Sequence, residues 1–118
     1  MKHMIHMLAL ALSISAGQLA AAETYHAGMH DIAIKDGSKA RPLNGTLWYP
    51  ADPDARLMRQ HSNGVWVGVE VAKQAAPIAG TFPLVILSHG MYGNARNQNW
   101  LAVELVRAGY VAVTLNHP

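Results

Sequence analysis

Cysteine is missing from this sequence. Its absence excludes a disulfide framework, a thiolate metal site and a cysteine nucleophile, although it does not by itself assign a compartment. Charge is sparse as well: charged residues make up 14% of the chain and the formal net charge is +2. Lys and Arg are interspersed with Asp and Glu and form no basic cluster, so the sequence gives no sign of a nucleic-acid partner. No internal repeat is visible. What is present is a chain of 118 residues, 51% of them apolar, which is neither disordered nor fibrous in composition and is at most one domain.

The N-terminus reads as an address rather than as structure. Lys2 supplies a positive start, Met7 to Ile14 is mostly apolar although His6 interrupts its approach, and Ala20-Ala21-Ala22 offers small residues where a signal peptidase cuts. Residues 1–22 are expected to be a cleaved export signal, with Glu23 the first mature residue and the medium or a periplasm the destination. The competing reading is an amphipathic helix or membrane anchor. A spanning helix needs about 20 predominantly apolar residues, and Ser13, Ser15, Gly17 and Gln18 break this run, so no stable span is expected after cleavage.

The stretch Pro83-Leu-Val-Ile-Leu-Ser-His-Gly-Met-Tyr-Gly93 organises the remainder. Leu84 to Leu87 is too short for a helix and too continuous for a half-exposed strand, so it reads as a central strand covered on both faces. Ser88-His89-Gly90 ends it. A helical pattern runs from about Asn97 to Ala108, with Asn94 or Asn97 as cap. Leu101, Leu105 and Ala108 form its apolar stripe and Val103 and Val106 widen it. Gly109 supplies a left-handed stop and Tyr110 to Leu115 a second apolar strand, which should lie parallel to the first.

Upstream, Met29 to Lys35 alternates as an edge strand would, Asp36-Gly37-Ser38 is a turn, and Leu43 to Tyr49 is a second strand ended by Pro50 and Pro53. These two should pair antiparallel at the margin of the sheet. Asp52 to Asn63 reads as a solvent-exposed connection. Val65, Val67, Val69 and Val71 suggest a short strand or extended arm, and Ala75 to Pro83 a linker.

The run LSHGMYGNARNQNWLAVELVRAGYVAVTLNHP resembles the oxyanion-loop region of the α/β-hydrolase superfamily. There a strand ends in His-Gly, Trp and Leu-Ala open the next helix, and Gly-Tyr leads into the following strand. Together with Leu47-Trp48-Tyr49-Pro50-Ala51, it is similar to the dienelactone-hydrolase-like group that includes the platelet-activating-factor acetylhydrolases. The resemblance covers roughly Met29 to Pro118 and is weakest between Ala51 and Gly80. It implies an α/β fold for 23–118: an antiparallel hairpin followed by a β-α-β crossover, the N-terminal and incomplete part of an α/β-hydrolase domain.

It also implies an ester or lactone hydrolase with a serine nucleophile, a small-molecule substrate and no cofactor. In that reading the backbone N–H of Met91 is one of two donors that stabilise the tetrahedral oxyanion. His89, Gly90 and Gly93 support the loop, the glycines by letting the backbone turn and approach substrate, and Tyr92 and His117 contribute pocket wall. The nucleophile itself is missing. Ser88 and Ser62 each lack the glycine two residues before them, where Ile86 and Gln60 stand, Ser13 and Ser15 lie in the leader, and no Gly-x-Ser-x-Gly elbow occurs. The triad is expected beyond Pro118. The strands should then lie in the order first, second, fourth, third, with Leu84 to Leu87 as an open, aggregation-prone edge and the chain a fragment or truncated product.

Three other readings compete. A lone histidine after a buried strand is more often structural than a general base, which applies to His89 and His117. A zinc site from these with His26, His30 or His61 has ligand-like spacing only at His26 and His30, and no metal is expected. Gly90-x-x-Gly93 before a helix superficially resembles a phosphate loop, but neither G-x-G-x-x-G nor a Gly-Lys-Ser/Thr ending is present. A non-catalytic binding module on the same framework would look much like this sequence.

Overall fold

The computed structural model describes residues 24–35, 37 and 42–117. The expected export signal and the turn at Asp36 and Ser38 lie outside the described residues. Six strands form one mixed sheet: β1 (His26–Ile34), β2 (Leu43–Ala51), β3 (Met58–Gln60), β4 (Val69–Lys73), β5 (Leu84–Ser88) and β6 (Val111–Asn116), in the spatial order β3-β4-β1-β2-β6-β5. A single turn of 3-10 helix (Ala95–Gln98) leads into α1 (Asn99–Arg107), which connects β5 to β6. β1 and β2 are antiparallel over their whole length, β2 and β6 antiparallel, and β5 and β6 parallel. The hairpin, the β-α-β unit and the first-second-fourth-third order therefore stand.

The margin of the sheet differs from expectation. β1 is not its edge, because β4 lies parallel to the start of β1 with Gly28 opposite Ala72, and β3 pairs antiparallel with β4. The polar connection thus contains a strand, β3, and only Val69 to Lys73 of the valine-rich arm is strand. β5 is the open edge expected for Leu84 to Leu87, but of the two faces read as covered only one is, with Leu84 and Ile86 exposed. In register, Val85 lies beside Ala112 and Ile86 beside Val113, so alternate residues face α1 and the open side.

The core sits between α1 and one sheet face. Trp48 and Val106 are fully buried there with Met29, Val71, Ala102 and Ala112. The indole Nε1–H of Trp48 donates to Thr114 Oγ1 at 3.0 Å, which satisfies two polar groups that burial would otherwise strand. The buried stripe of α1 is Asn99, Ala102, Val103 and Val106; Val103 and Val106 belong to the expected face, whereas Leu101, Leu105 and Ala108 are not its centre. Both sets obey helical spacing; the small Ala102 lies within the cluster around Trp48, while Leu101 and Leu105 flank it half-buried and Ala108 is exposed.

Gly109, at φ 88°, ends the helix as expected. Its N–H donates to Val106 O at 2.9 Å and that of Tyr110 to Leu105 O at 3.0 Å, the paired bonds of a Schellman motif. Across the hairpin, Gly28 faces Tyr49, and a Cβ there would lie 2.3 Å from the Tyr49 ring. That ring closes over the glycine and its hydroxyl donates to Ala75 O at 2.7 Å.

Candidate active site

β5 and β6 end side by side, Ser88 opposite Leu115, and the chain leaves β5 through His89-Gly90-Met91-Tyr92-Gly93. The carboxyl ends of parallel strands are where α/β folds place their ligands. The Gly93 N–H donates to Gly90 O at 3.0 Å and closes the turn. Its left-handed residue is Tyr92, at φ 59°, and neither Gly90 nor Gly93. A non-glycine residue in that region stores of order 1 kcal/mol or more of strain, a feature that gathers at functional turns. A Cβ on Gly90 would meet nothing, whereas one on Gly93 would crowd Gly90 O, His89 and Asn97 at 3.0 Å. Gly93 is thus the glycine whose lack of a side chain the packing uses.

Two histidines brace the turn. His89 Nδ1 lies 2.9 Å from Gly90 O, and since a carbonyl only accepts, Nδ1 carries the proton. The His117 ring stacks on that of His89, centroids 4.2 Å apart and planes 6° from parallel. His117 Nε2 lies 3.2 Å from His89 O and 3.0 Å from Ser88 Oγ. The contact with Ser88 has the look of a nucleophile and base; in the tautomer that donates Nε2–H to the His89 carbonyl, no Nε2 lone pair is left to take the Ser88 proton. Met91 and Tyr92 are exposed.

Asparagines fix the far side. Asn94 Oδ1 accepts the Arg96 N–H at 2.8 Å, making Asn94 the cap. Asn116 Oδ1, at the end of β6, accepts the Ala95 N–H at 2.7 Å and ties the 3-10 turn to the sheet. Asn116 escaped the sequence reading; its one signal was a polar residue closing an apolar strand.

His61 was also missed as a site residue, weighed only as a zinc ligand. It follows β3 at φ 57°, its ring stands edge-on to Trp48 with the centroids 6.4 Å apart, and its Nδ1 accepts from Asn99 Nδ2 at 2.6 Å. Burial, and after it the positive charge of Arg96, hold its pKa below the ordinary imidazole value, with Asp31 opposing. His61 lines a polar cleft of about 440 Å³ with Asp31, Thr46, Arg96 and Asn116. Neither His89, Met91, Tyr92 nor His117 borders it. His26 and His30 lie on β1, where an i, i+4 spacing spans about 13 Å along a strand, too far for one ion. Among the described residues no group of three or more His, Asp or Glu could hold a metal.

No family model matches the chain, and no curated protein does. The strand order and crossover define a mixed α/β sheet of six strands. Among solved structures, its fold is similar to that of a ferulic acid esterase from Streptomyces cinnamoneus, with a TM-score of 0.62 and 23% identity over 83% of this chain. The match takes in 34% of that esterase, so the chain spans about a third of its length. At that identity the likeness is one of fold.

Proposed function

We propose that this chain is the oxyanion-loop part of an exported serine hydrolase acting on carboxylic esters or lactones, related to the dienelactone-hydrolase-like group. The observation that carries the reading is the strained His89 to Gly93 turn at the paired carboxyl ends of β5 and β6, within a sheet similar to part of an esterase. In this reading the Met91 N–H donates to the oxyanion formed when the nucleophile attacks the carbonyl carbon, and charge that develops on that oxygen is stabilised by a donor already in place. His89, stacked on His117, keeps the turn from relaxing. Tyr92 and His117 border the substrate, and the nucleophile, acid and general base are supplied by residues other than those in this sequence. No cofactor enters this chemistry.

The narrower relationship rests on Tyr49-Pro50 and Ser88-His89-Gly90; export rests on residues 1–22. The test is hydrolysis of 4-nitrophenyl acetate by the full-length protein. Met91→Pro removes the N–H and should lower kcat about 10²–10³-fold, while Met91→Ala keeps the donor and should hold kcat within a few-fold. Equal rates for the two variants would refute the assignment. N-terminal sequencing of the exported product should begin at Glu23.

A further inference from the structure

The hairpin between β3 and β4 does something that burial alone would oppose: it holds an indole and two valines out in water. Trp66 is 51% exposed, Val65 85% and Val67 79%. The loop that displays them is pinned. Asn63 Oδ1 accepts the N–H groups of Val65 and Trp66 at 2.9 and 2.8 Å, and the Asn63 N–H donates to Trp66 O at 2.9 Å. Arg59 Nη1 donates to Val67 O at 2.9 Å. Gly68 turns the chain back at φ 76°, where a Cβ would lie 2.4 Å from Gln60 O. A built loop with apolar side chains on its outside marks a contact surface rather than a failure to pack.

Opposite it stands Trp100, at the start of α1 and 63% exposed. The two indoles line a cleft of about 460 Å³ together with Asn63, Asn94, Asn97 and Arg96. The oxygens of Asn63 and Asn94 are already engaged by backbone N–H groups, which leaves their NH₂ groups and the Arg96 guanidinium as donors to a ligand and the Asn97 amide as both donor and acceptor. No carboxylate borders this cleft and Arg96 is its one cation.

That combination selects a ligand class. A phosphate or polyanion wants several cations, and a purely aliphatic guest would strand the amides without partners. Flat apolar faces beside planar hydrogen-bonding groups suit a ring with an apolar face and a rim of hydroxyls. We propose that the cleft between Trp66 and Trp100 binds an uncharged oligosaccharide, with the indoles against the C–H faces of its pyranose rings and Asn97 and Arg96 on its hydroxyls. This cleft adjoins the His89 to Gly93 turn through Asn94 and includes none of its residues, and the proposal stands whether or not the ester-hydrolase reading does.

The test is titration of the full-length protein with xylohexaose, cellohexaose, mannohexaose and maltohexaose, followed by tryptophan emission and calorimetry. At least one hexaose should bind saturably and shift the emission of the exposed indoles. Trp66→Ala and Trp100→Ala should each weaken that binding about tenfold, with the melting temperature little changed in Trp100→Ala, whose side chain is the more exposed of the two. Trp66→Tyr, which keeps a flat ring, should restore most of it. The proposal is overturned if none of the four sugars binds at millimolar concentration, if both alanine variants bind as the parent does, or if 4-hydroxycinnamate binds there and the sugars do not.

Discussion

The two faces of the sheet were made by the same strands and behave oppositely. Under α1, Trp48, Ala112 and Thr114 are sealed from water. On the other side Leu84 is 58% exposed and Ile86 63%, although both belong to the most apolar strand in the chain. Alternation along a strand assigns side chains to faces but does not cover them. Covering is done by α1, which a Schellman turn and a nine-residue span place over β2 and β6. Apolar sequence therefore proposes burial, and a second layer grants it.

The sharpest way to break the covered face is Trp48→Ala. It empties the largest buried side chain and leaves Thr114 Oγ1 without its donor, and should cost about 3–5 kcal/mol in urea unfolding. Thr114→Val keeps the volume and removes only the acceptor. The stranded Nε1–H should then cost about 1–3 kcal/mol, and a neutral result would mean that water reaches the indole.

At the rim of the same face, His61 gives a pH signature. Its folded pKa is depressed, so as pH falls the unfolded chain takes up the proton first. Its contribution is complete above the ordinary imidazole pKa of about 6.5, and is lost as pH falls through that value toward the folded one. The melting temperature should drop over this window in the parent and drop less in His61→Gln.

The smallest effect is expected on the open face. Ile86→Lys should change the stability of this chain by less than about 0.5 kcal/mol while lowering its tendency to self-associate. A loss of several kcal/mol would show that this face is covered after all.

What could be read in the sequence was what is encoded locally. The β5-α1-β6 unit follows from an apolar run, a helical repeat and Gly109, and the paired strands before it from alternation around a turn. The His89 to Gly93 turn was legible because its motif is contiguous. β4 was not placed beside β1 because two residue pairs, Gly28 with Ala72 and Met29 with Lys73, make that contact from distant positions, and no local rule selects them. β3 is three residues long and lies in a segment whose composition speaks for a loop. Val103 and Val106 were legible on α1, but the centre of its stripe was placed on Leu101 and Leu105 because Leu outweighs Ala in hydrophobicity, whereas close packing on a tryptophan favours the smaller Ala102. His61 reaches Trp48 and Asn99 only through that tertiary packing, so nothing near it in the chain announced it.

The hydrogen bond between Trp48 and Thr114 also sets a timetable. It joins residues 66 apart, whereas β1 and β2 are neighbours in the chain and can zip as soon as both exist. During synthesis the hairpin can form early, but its tryptophan stays uncovered until α1 and β6 have emerged and docked. Closing so long a loop is entropically costly before any contact rewards it, so the contacts that cover Trp48 cost more to form than those within the hairpin. In that interval the chain carries an exposed indole and an unpaired β2 edge, the form in which a chaperone would meet it.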